Sequence, residues 1–193
     1  MRRVSIGWAL AVVCVCGANF VAAQTAWLDQ PLAGWNAAGA PLPKGTADAA
    51  ARADAMKRCQ LVPPSTAADR ALEAAGWIPQ PHLDRPLIST DVEIVAGFSS
   101  LDASCAPAAF NLFVFVGGRF AGTLSPGLMA PRTDASAGPV RFVNDGISAE
   151  FARYKPGDGD CCPSARVAVQ YRIDRTPTGP SVVPVNVRTT RSY

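Results

Sequence analysis

The chain has 193 residues, of which 49% are hydrophobic and 17% charged, which suits one domain with a buried core. Its formal net charge is +3, and its three lysines are dispersed at positions 44, 57 and 155. Because nucleic-acid binding requires clustered Lys and Arg, this composition excludes nucleic acid as an expected partner.

Residues 1–23 have the three parts of a secretory signal peptide. Arg2 and Arg3 give a positive start, an apolar stretch follows over 6–16, and small residues at 21–23 precede a cleavage site. The apolar stretch is shorter than the about 20 residues of a membrane-spanning helix. The pattern predicts export of the remaining chain to the periplasm or the medium, with no transmembrane segment after cleavage.

Two other export routes stay open. The pair Arg2-Arg3 is compatible with a twin-arginine signal, although the residues after it match that signal poorly. Cys14 or Cys16 could carry a lipid, but bulky valines precede both cysteines where a small residue is expected. A soluble exported form is therefore the favoured prediction, and lipid anchoring the alternative.

Residues 24–46 form a lead-in segment rich in Ala, Gly and Pro, a composition that does not favour a helix. Its two tryptophans, Trp27 and Trp35, predict an extended arm that lies on the body of the domain, because indole rings gain much by leaving water. Packing is the favoured role, and contact with a partner is the alternative. On the second role, deleting residues 24–43 should weaken binding without unfolding the domain.

Two helices follow the arm. Thr46 is a suitable cap for a helix over 47–59, and Ser65 or Thr66 for a second helix over 67–75. Gly76 supplies the left-handed residue that ends the second helix. Prolines at 79, 81 and 86 then predict an irregular linker.

After the linker the pattern changes to strands joined by short turns. The predicted strands cover residues 91–98, 110–116, 119–125, 139–143, 147–154, 166–173 and 181–187. Turns at 117–118 and 144–146 form two hairpins, and Pro184 places the last strand at an edge. Residues 47–193 are therefore predicted to be a single α+β domain, with two N-terminal helices packed on a disulfide-stabilised antiparallel β-meander of about five to seven strands.

The strand over 110–116 is apolar on both faces, which predicts a central position with helices on one side. The alternative is a sheet face that lines a pocket for a small apolar ligand, with Phe110 and Leu112 in the lining. Burial is favoured, because the Ala-rich helices allow close packing.

Four cysteines follow the predicted signal: Cys59, Cys105, Cys161 and Cys162. An even number in an exported protein predicts two disulfides. An extended chain before Pro163 would point the neighbouring cysteines to opposite sides, so each is expected to join a distant partner, in an order that stays open. A metal site or a redox dithiol is less favoured, because the chain has one histidine, His82, and no C-x-x-C motif.

The hairpin sequence over 113–126, the Cys161-Cys162-Pro163-Ser164 segment and the alternating strand after it resemble the LppP/LprE-like family of bacterial envelope proteins. Cys105 and the pair Gly76-Trp77 fit the same resemblance, which covers about residues 59–173. It implies an exported protein, and many members are lipoproteins. The family has no assigned activity, so it supplies no functional residues to transfer.

Few residues in the sequence suggest a catalytic or metal-binding site. His82 lies among prolines without a nucleophile motif beside it, which favours a loop histidine. Glu93 and Glu150 could form an acid/base pair only if the fold brings their strands together. Asp158 and Asp160, even with Asp145, lack the ligand order of a calcium loop. No catalytic, metal or cofactor site is therefore predicted.

The sequence predicts a non-enzymatic envelope protein that binds another macromolecule, most simply an envelope protein, or acts structurally. A carrier of a small apolar ligand is the alternative, and a carboxylate-dependent hydrolase is a more remote one.

Overall fold

The structure is a computed structural model that describes residues 27–81, 87–144 and 146–191. The predicted signal peptide, His82 and Asp145 lie outside these residues. The described chain begins with a 3-10 helix, Trp27–Asp29, followed by α1, Ala49–Arg58, and α2, Ala67–Ala74. Nine strands follow: β1 Ile78–Pro81, β2 Leu87–Ser89, β3 Val92–Leu101, β4 Pro107–Val116, β5 Arg119–Thr123, β6 Ala137–Val143, β7 Gly146–Arg153, β8 Ala165–Thr176 and β9 Gly179–Arg191.

The strands pair antiparallel and form two sheets. One sheet has the order β1–β3–β4–β5, with β2 also beside β3, and the other has the order β6–β7–β8–β9. The α+β class and the N-terminal position of the helices are confirmed, while the described residues form nine strands that divide between two sheets. The two additional strands in the described residues, β1 and β2, lie in the proline-rich segment predicted to be a linker. Pro79 and Pro81 are tolerated there because β1 is an edge strand.

The main core lies between the two sheets. Alternate residues of β4, including Leu112 and Val114, face side chains of β7 and β8 such as Phe151 and Val169. Because successive side chains of a strand point to opposite faces, the residues between them face the other way. Phe113 and Phe115 pack there with Leu72 of α2 and with Trp77. The predicted central strand with a helix on one side is confirmed.

The helix ends follow local chemistry. Thr66 caps α2, and its hydroxyl and the Asp69 carboxylate form a reciprocal capping box. Gly76, with φ of 91°, ends the helix in the left-handed region. The cap of α1 is Asp48, whose carboxylate accepts from the Ala51 amide at 2.7 Å. The prediction that Thr46 caps α1 is wrong. The Thr46 hydroxyl instead donates to the Ser99 carbonyl at 3.4 Å.

Candidate functional site

The arm lies against the core through its two tryptophans. The Trp35 indole nitrogen donates to the Thr123 carbonyl at 3.0 Å. The Trp27 ring lies 5.3 Å from the Trp35 ring and 5.0 Å from the Phe151 ring, both in edge-on contact. Both tryptophans are half-buried against the main core. These contacts favour the packing role, and contact with a partner stays a prediction.

Next to Trp35, Asn36 joins the edges of the two sheets. Strands β5 and β9 approach each other but do not pair. The Asn36 amide nitrogen donates to the carbonyls of Thr123 and Val182, each at 2.9 Å, and its oxygen accepts from the Thr123 amide at 2.9 Å. A Cβ on Gly122 would lie 2.2 Å from the Asn36 side chain, so the strand passes close to the amide. The Asn36 side chain therefore links the edge strand of one sheet, β5, to the edge strand of the other, β9.

Tyr171, on β8, makes a second contact between the two sheets. Its hydroxyl donates to the carbonyl of Leu124 across the core. Burial raises the pKa of the Tyr171 phenol well above its ordinary value of 10.0. The phenol is therefore a neutral structural donor, and its contact ties the second sheet to the chain just after β5.

Two clefts open beside the arm and beside α1. The first, about 180 Å³, lies between the arm and β5 and is lined by Trp35, Phe120 and Pro41 among others. The second, about 260 Å³, lies between α1 and the end of β3, where the small side chains of Ala51 and Ala55 leave a gap. Both are smaller than the about 300–1,000 Å³ of most ligand pockets.

The residues predicted to line an apolar pocket are not in either cleft. Phe110 is 7% exposed and Leu112 0%, and both pack in the main core. The carrier alternative therefore gains no support from these two positions.

The carboxylates predicted as a possible acid/base pair do not meet. Glu93 lies on β3, between residues that face the core, so it points to the outer face of the first sheet. By the same alternation, Glu150 on β7 points to the outer face of the second sheet, where its carboxylate pairs with Arg141 at 2.7 Å. The core separates these two faces, so this pair cannot act on one substrate.

One disulfide joins Cys59, just after α1, to Cys105, in the loop between β3 and β4. Its Cα atoms lie 5.5 Å apart, within the usual range for this bond. Forty-six positions separate the two cysteines. Closing a loop of that length stabilises a fold by about 4 kcal/mol in the chain-entropy model.

The other disulfide joins Cys161 to its neighbour Cys162. This corrects the prediction that each would bond a distant cysteine. Two features explain the difference: Cys59 and Cys105 already lie together, and the chain turns at Asp160 and Cys161 instead of running extended.

The paired cysteines lie in the loop between β7 and β8, which Asp158 organises. Its carboxylate accepts from the amides of Lys155 and Ser164, each at 2.8 Å, and from the Ser164 hydroxyl at 2.6 Å. The Ser164 hydroxyl, with these two amides, lowers the pKa of Asp158 below its ordinary value of 3.8. The carboxylate is thus engaged within the loop, and no cluster of three metal-ligating side chains is found in the described part of the chain.

Sequence reasoning underestimated the last strand. Predicted over 181–187, β9 extends to Arg191 and forms the end of its sheet. Ser181, Val182 and Pro184 are buried, whereas every residue over 185–189 is exposed. The change coincides with a β-bulge at Val185, which has no partner while Asn186 and Pro184 pair with Gln170 and Tyr171. Within the described residues, no strand pairs with the outer edge of β9.

This exposed part of β9 also carries apolar side chains. Val185 is 47% exposed and Val187 38%. Val187 pairs with Val169, a residue of the main core, and paired residues point to the same face of a sheet. Val187 therefore lies on the face that packs against the first sheet, but outside the part of that face that is buried. The end of β9 thus combines apolar side chains with a main-chain edge that no described strand pairs with, and it is the best candidate for an interaction surface.

Comparisons with known proteins agree with the resemblance. Residues 94–176, from β3 to the end of β8, match the LppP/LprE lipoprotein family. No curated protein and no solved structure matches the chain. In the ranges 27–81, 87–144 and 146–191, neither helix has the length and apolar character needed to cross a bilayer. The match covers the central hairpin and the loop with the paired cysteines, and it supports the resemblance of this part of the chain to the LppP/LprE lipoprotein family.

Proposed function

We propose that this envelope protein is a non-enzymatic interaction module that binds a partner protein by strand addition at the outer edge of β9. The observation that carries the proposal is the abrupt exposure of β9 from Val185 onwards, on an edge that no described strand covers. Unpaired N–H and C=O groups along such an edge can pair with an extended segment of another chain.

The side chains on this edge suit a protein partner. Val187 offers apolar area, and Asn186, Arg188 and Thr189 offer polar contacts around it. Interfaces of this kind combine an apolar centre with a polar rim. Main-chain pairing would supply affinity, while alternate side chains would supply specificity.

The opposite edge of the same sheet is protected. Strand β6 contains Pro139, which has no N–H to donate, and its pairing with β7 is interrupted between Ala137 and Val140. Prolines and bulges are the usual means of preventing strand addition. In β9 the proline and the bulge lie at positions 184 and 185, before the exposed residues 186–189, each of which retains a main-chain N–H group. We therefore place the partner on the edge beyond the bulge.

A photo-crosslinking amino acid placed at Thr189 in the full chain, expressed in its own host, tests the proposal. Contact through β9 should give one discrete adduct with an envelope protein. The matched control places the same probe at Leu128, which is 53% exposed and lies outside the strands. The same adducts from both positions would contradict the proposal.

A second variant makes the test depend on β9 itself. Adding Val187→Asp to the chain that carries the probe at Thr189 should reduce the adduct about tenfold, equivalent to about 1.4 kcal/mol of binding free energy, because a carboxylate would enter the apolar centre of the interface. Val62→Asp, at a 54% exposed valine outside β9, should leave the adduct unchanged. An adduct that survives Val187→Asp would show that this edge is not the docking surface.

A further inference from the structure

We infer that the Cys161–Cys162 disulfide is a thiol–disulfide exchange site, opened by a dithiol and closed again by the disulfide form of that dithiol, while Cys59–Cys105 stays intact. The inference rests on the different positions of the two bonds in the fold, and it is independent of β9.

The two disulfides differ in what they do for folding. A bond between residues 46 positions apart restricts the unfolded chain strongly, whereas a bond between neighbours closes a ring of one peptide unit and restricts it hardly at all. Cys161–Cys162 therefore contributes little to stability. A bond that is not needed for stability can be opened without unfolding the domain.

The two disulfides also differ in access. Cys161 and Cys162 are both exposed, whereas Cys59 and Cys105 are half-buried. The guanidinium of Arg58 lies over the Cys105 sulfur, with 3.7 Å between its Nη1 and Sγ. Because exchange requires a thiolate to reach a sulfur atom directly, the exposed pair is the easier target.

The loop around the pair is held by contacts that do not involve sulfur. Asp158 binds Lys155 and Ser164, on either side of the cysteines. The Tyr154 hydroxyl donates to the Asp160 carbonyl at 2.7 Å, and Pro163 is buried. The ends of the loop should therefore keep their positions when the bond opens, so that the change is confined to the two cysteines.

The exchange is a two-electron reaction. A thiolate of the dithiol attacks one sulfur of the pair, which forms a mixed disulfide and releases the other sulfur as a thiolate that takes a proton from water. The second thiol of the reductant then attacks the mixed disulfide and displaces the remaining protein sulfur. The protein gains two thiols, and the reductant becomes a disulfide. In the envelope, the dithiol would be that of a thiol–disulfide oxidoreductase.

Titration of the folded exported chain, without the predicted signal peptide and its Cys14 and Cys16, tests this inference. Dithiothreitol is the reductant, and N-ethylmaleimide labelling with peptide mass spectrometry follows. Cys161 and Cys162 should become labelled at a reductant concentration at least about tenfold below that needed for Cys59 and Cys105. Reoxidation before labelling should restore the pair. Labelling of all four cysteines together, of Cys59 and Cys105 first, or of Cys161 and Cys162 without reductant would overturn it.

Paired serine variants provide the stability control. Cys161→Ser with Cys162→Ser should leave the melting temperature within about 2 °C of the parent chain, whereas Cys59→Ser with Cys105→Ser should lower it by about 10 °C. A comparable loss in the first variant would mean that the vicinal bond is structural, and would contradict the inference.

Discussion

At the scale of single residues, the side chain of Asn36 supplies what the two sheet edges lack. Its amide group satisfies three main-chain groups on β5 and β9, and each contact is 2.9 Å long. Unpaired main-chain groups cost free energy when they are withdrawn from water. An amide, with both donors and an acceptor, is one of the few side chains that can meet all three.

Replacement of Asn36 by Ala should therefore lower the free energy of unfolding by about 2 kcal/mol, because the Thr123 amide and the Val182 carbonyl lose their side-chain partner, while the Thr123 carbonyl keeps the Trp35 indole N–H. Chemical denaturation of the purified domain would measure this loss. Asn186→Ala is the matched control, since that exposed amide makes a single 3.3 Å contact with Gln170, and it should cost less than about 0.5 kcal/mol. Equal effects from the two variants would show that the bridge does not hold the edges together.

At the scale of elements, the loop between β7 and β8 keeps its shape through one carboxylate. The lowered pKa of Asp158 follows first from the Ser164 hydroxyl and then from two main-chain amides. A pKa lowered in the folded state means that these contacts are fully present above the ordinary value of 3.8 and are lost as pH falls through the lowered one. Acid should therefore loosen this loop only below pH 3.8.

Ser164→Ala should raise the pKa of Asp158 towards its ordinary value, because the largest cause of the shift is removed. A side-chain carboxyl NMR titration would follow this change. Asp102 provides an internal control, since the Ser104 hydroxyl lowers its pKa in the same way in a different loop. Its titration should not respond to Ser164→Ala, and a shift of both carboxyls, or of neither, would contradict the local explanation.

The regular elements were predictable to the extent that their causes are local. The cap and glycine of α2 and the hairpin turns of β4–β5 and β6–β7 depend on residues within a few positions of each other. Strand β1 was missed because Pro79 and Pro81 are poor strand residues, and only its edge position beside β3 makes them acceptable. The length of β9 was also underestimated, because Pro184 is a poor strand residue and interrupts the alternation of polar and apolar residues along it.

At the scale of the whole molecule, the arm belongs to the sandwich. Trp27 and Trp35 cover core residues, Asn36 joins the sheets, and Asp29 binds Arg153 at 2.9 Å. Burial alone would lower the pKa of Arg153, but its hydrogen bonds to Asp29 and Asp134 raise it, which keeps this contact charged. The expectation that deleting the arm weakens binding without unfolding the domain stays a prediction, and these contacts add that the deletion should also lower stability.

Deletion of residues 24–43 should lower the melting temperature by about 10 °C or more, because the lost contacts contribute at least about 3 kcal/mol. Scanning calorimetry of the mature domain would measure this change. Trp35→Ala should cause part of the same loss, while Gln30→Ala, at an exposed arm residue, should cause almost none. An unchanged melting temperature after the deletion would show that the arm lies on the surface without contributing to stability.

The sequence by itself determined the α+β class, both helices, the main hairpins and the family resemblance, because these depend on nearby residues and on motifs readable along the chain. Tertiary structure alone decided that the strands form two sheets, that the disulfides are Cys59–Cys105 and Cys161–Cys162, and that Glu93 and Glu150 lie on opposite faces. It also decided that Asn36 joins β5 to β9 and that no strand in the described part of the chain pairs with the outer edge of β9. Each of these outcomes depends on distances between residues far apart in the chain, which local patterns do not contain.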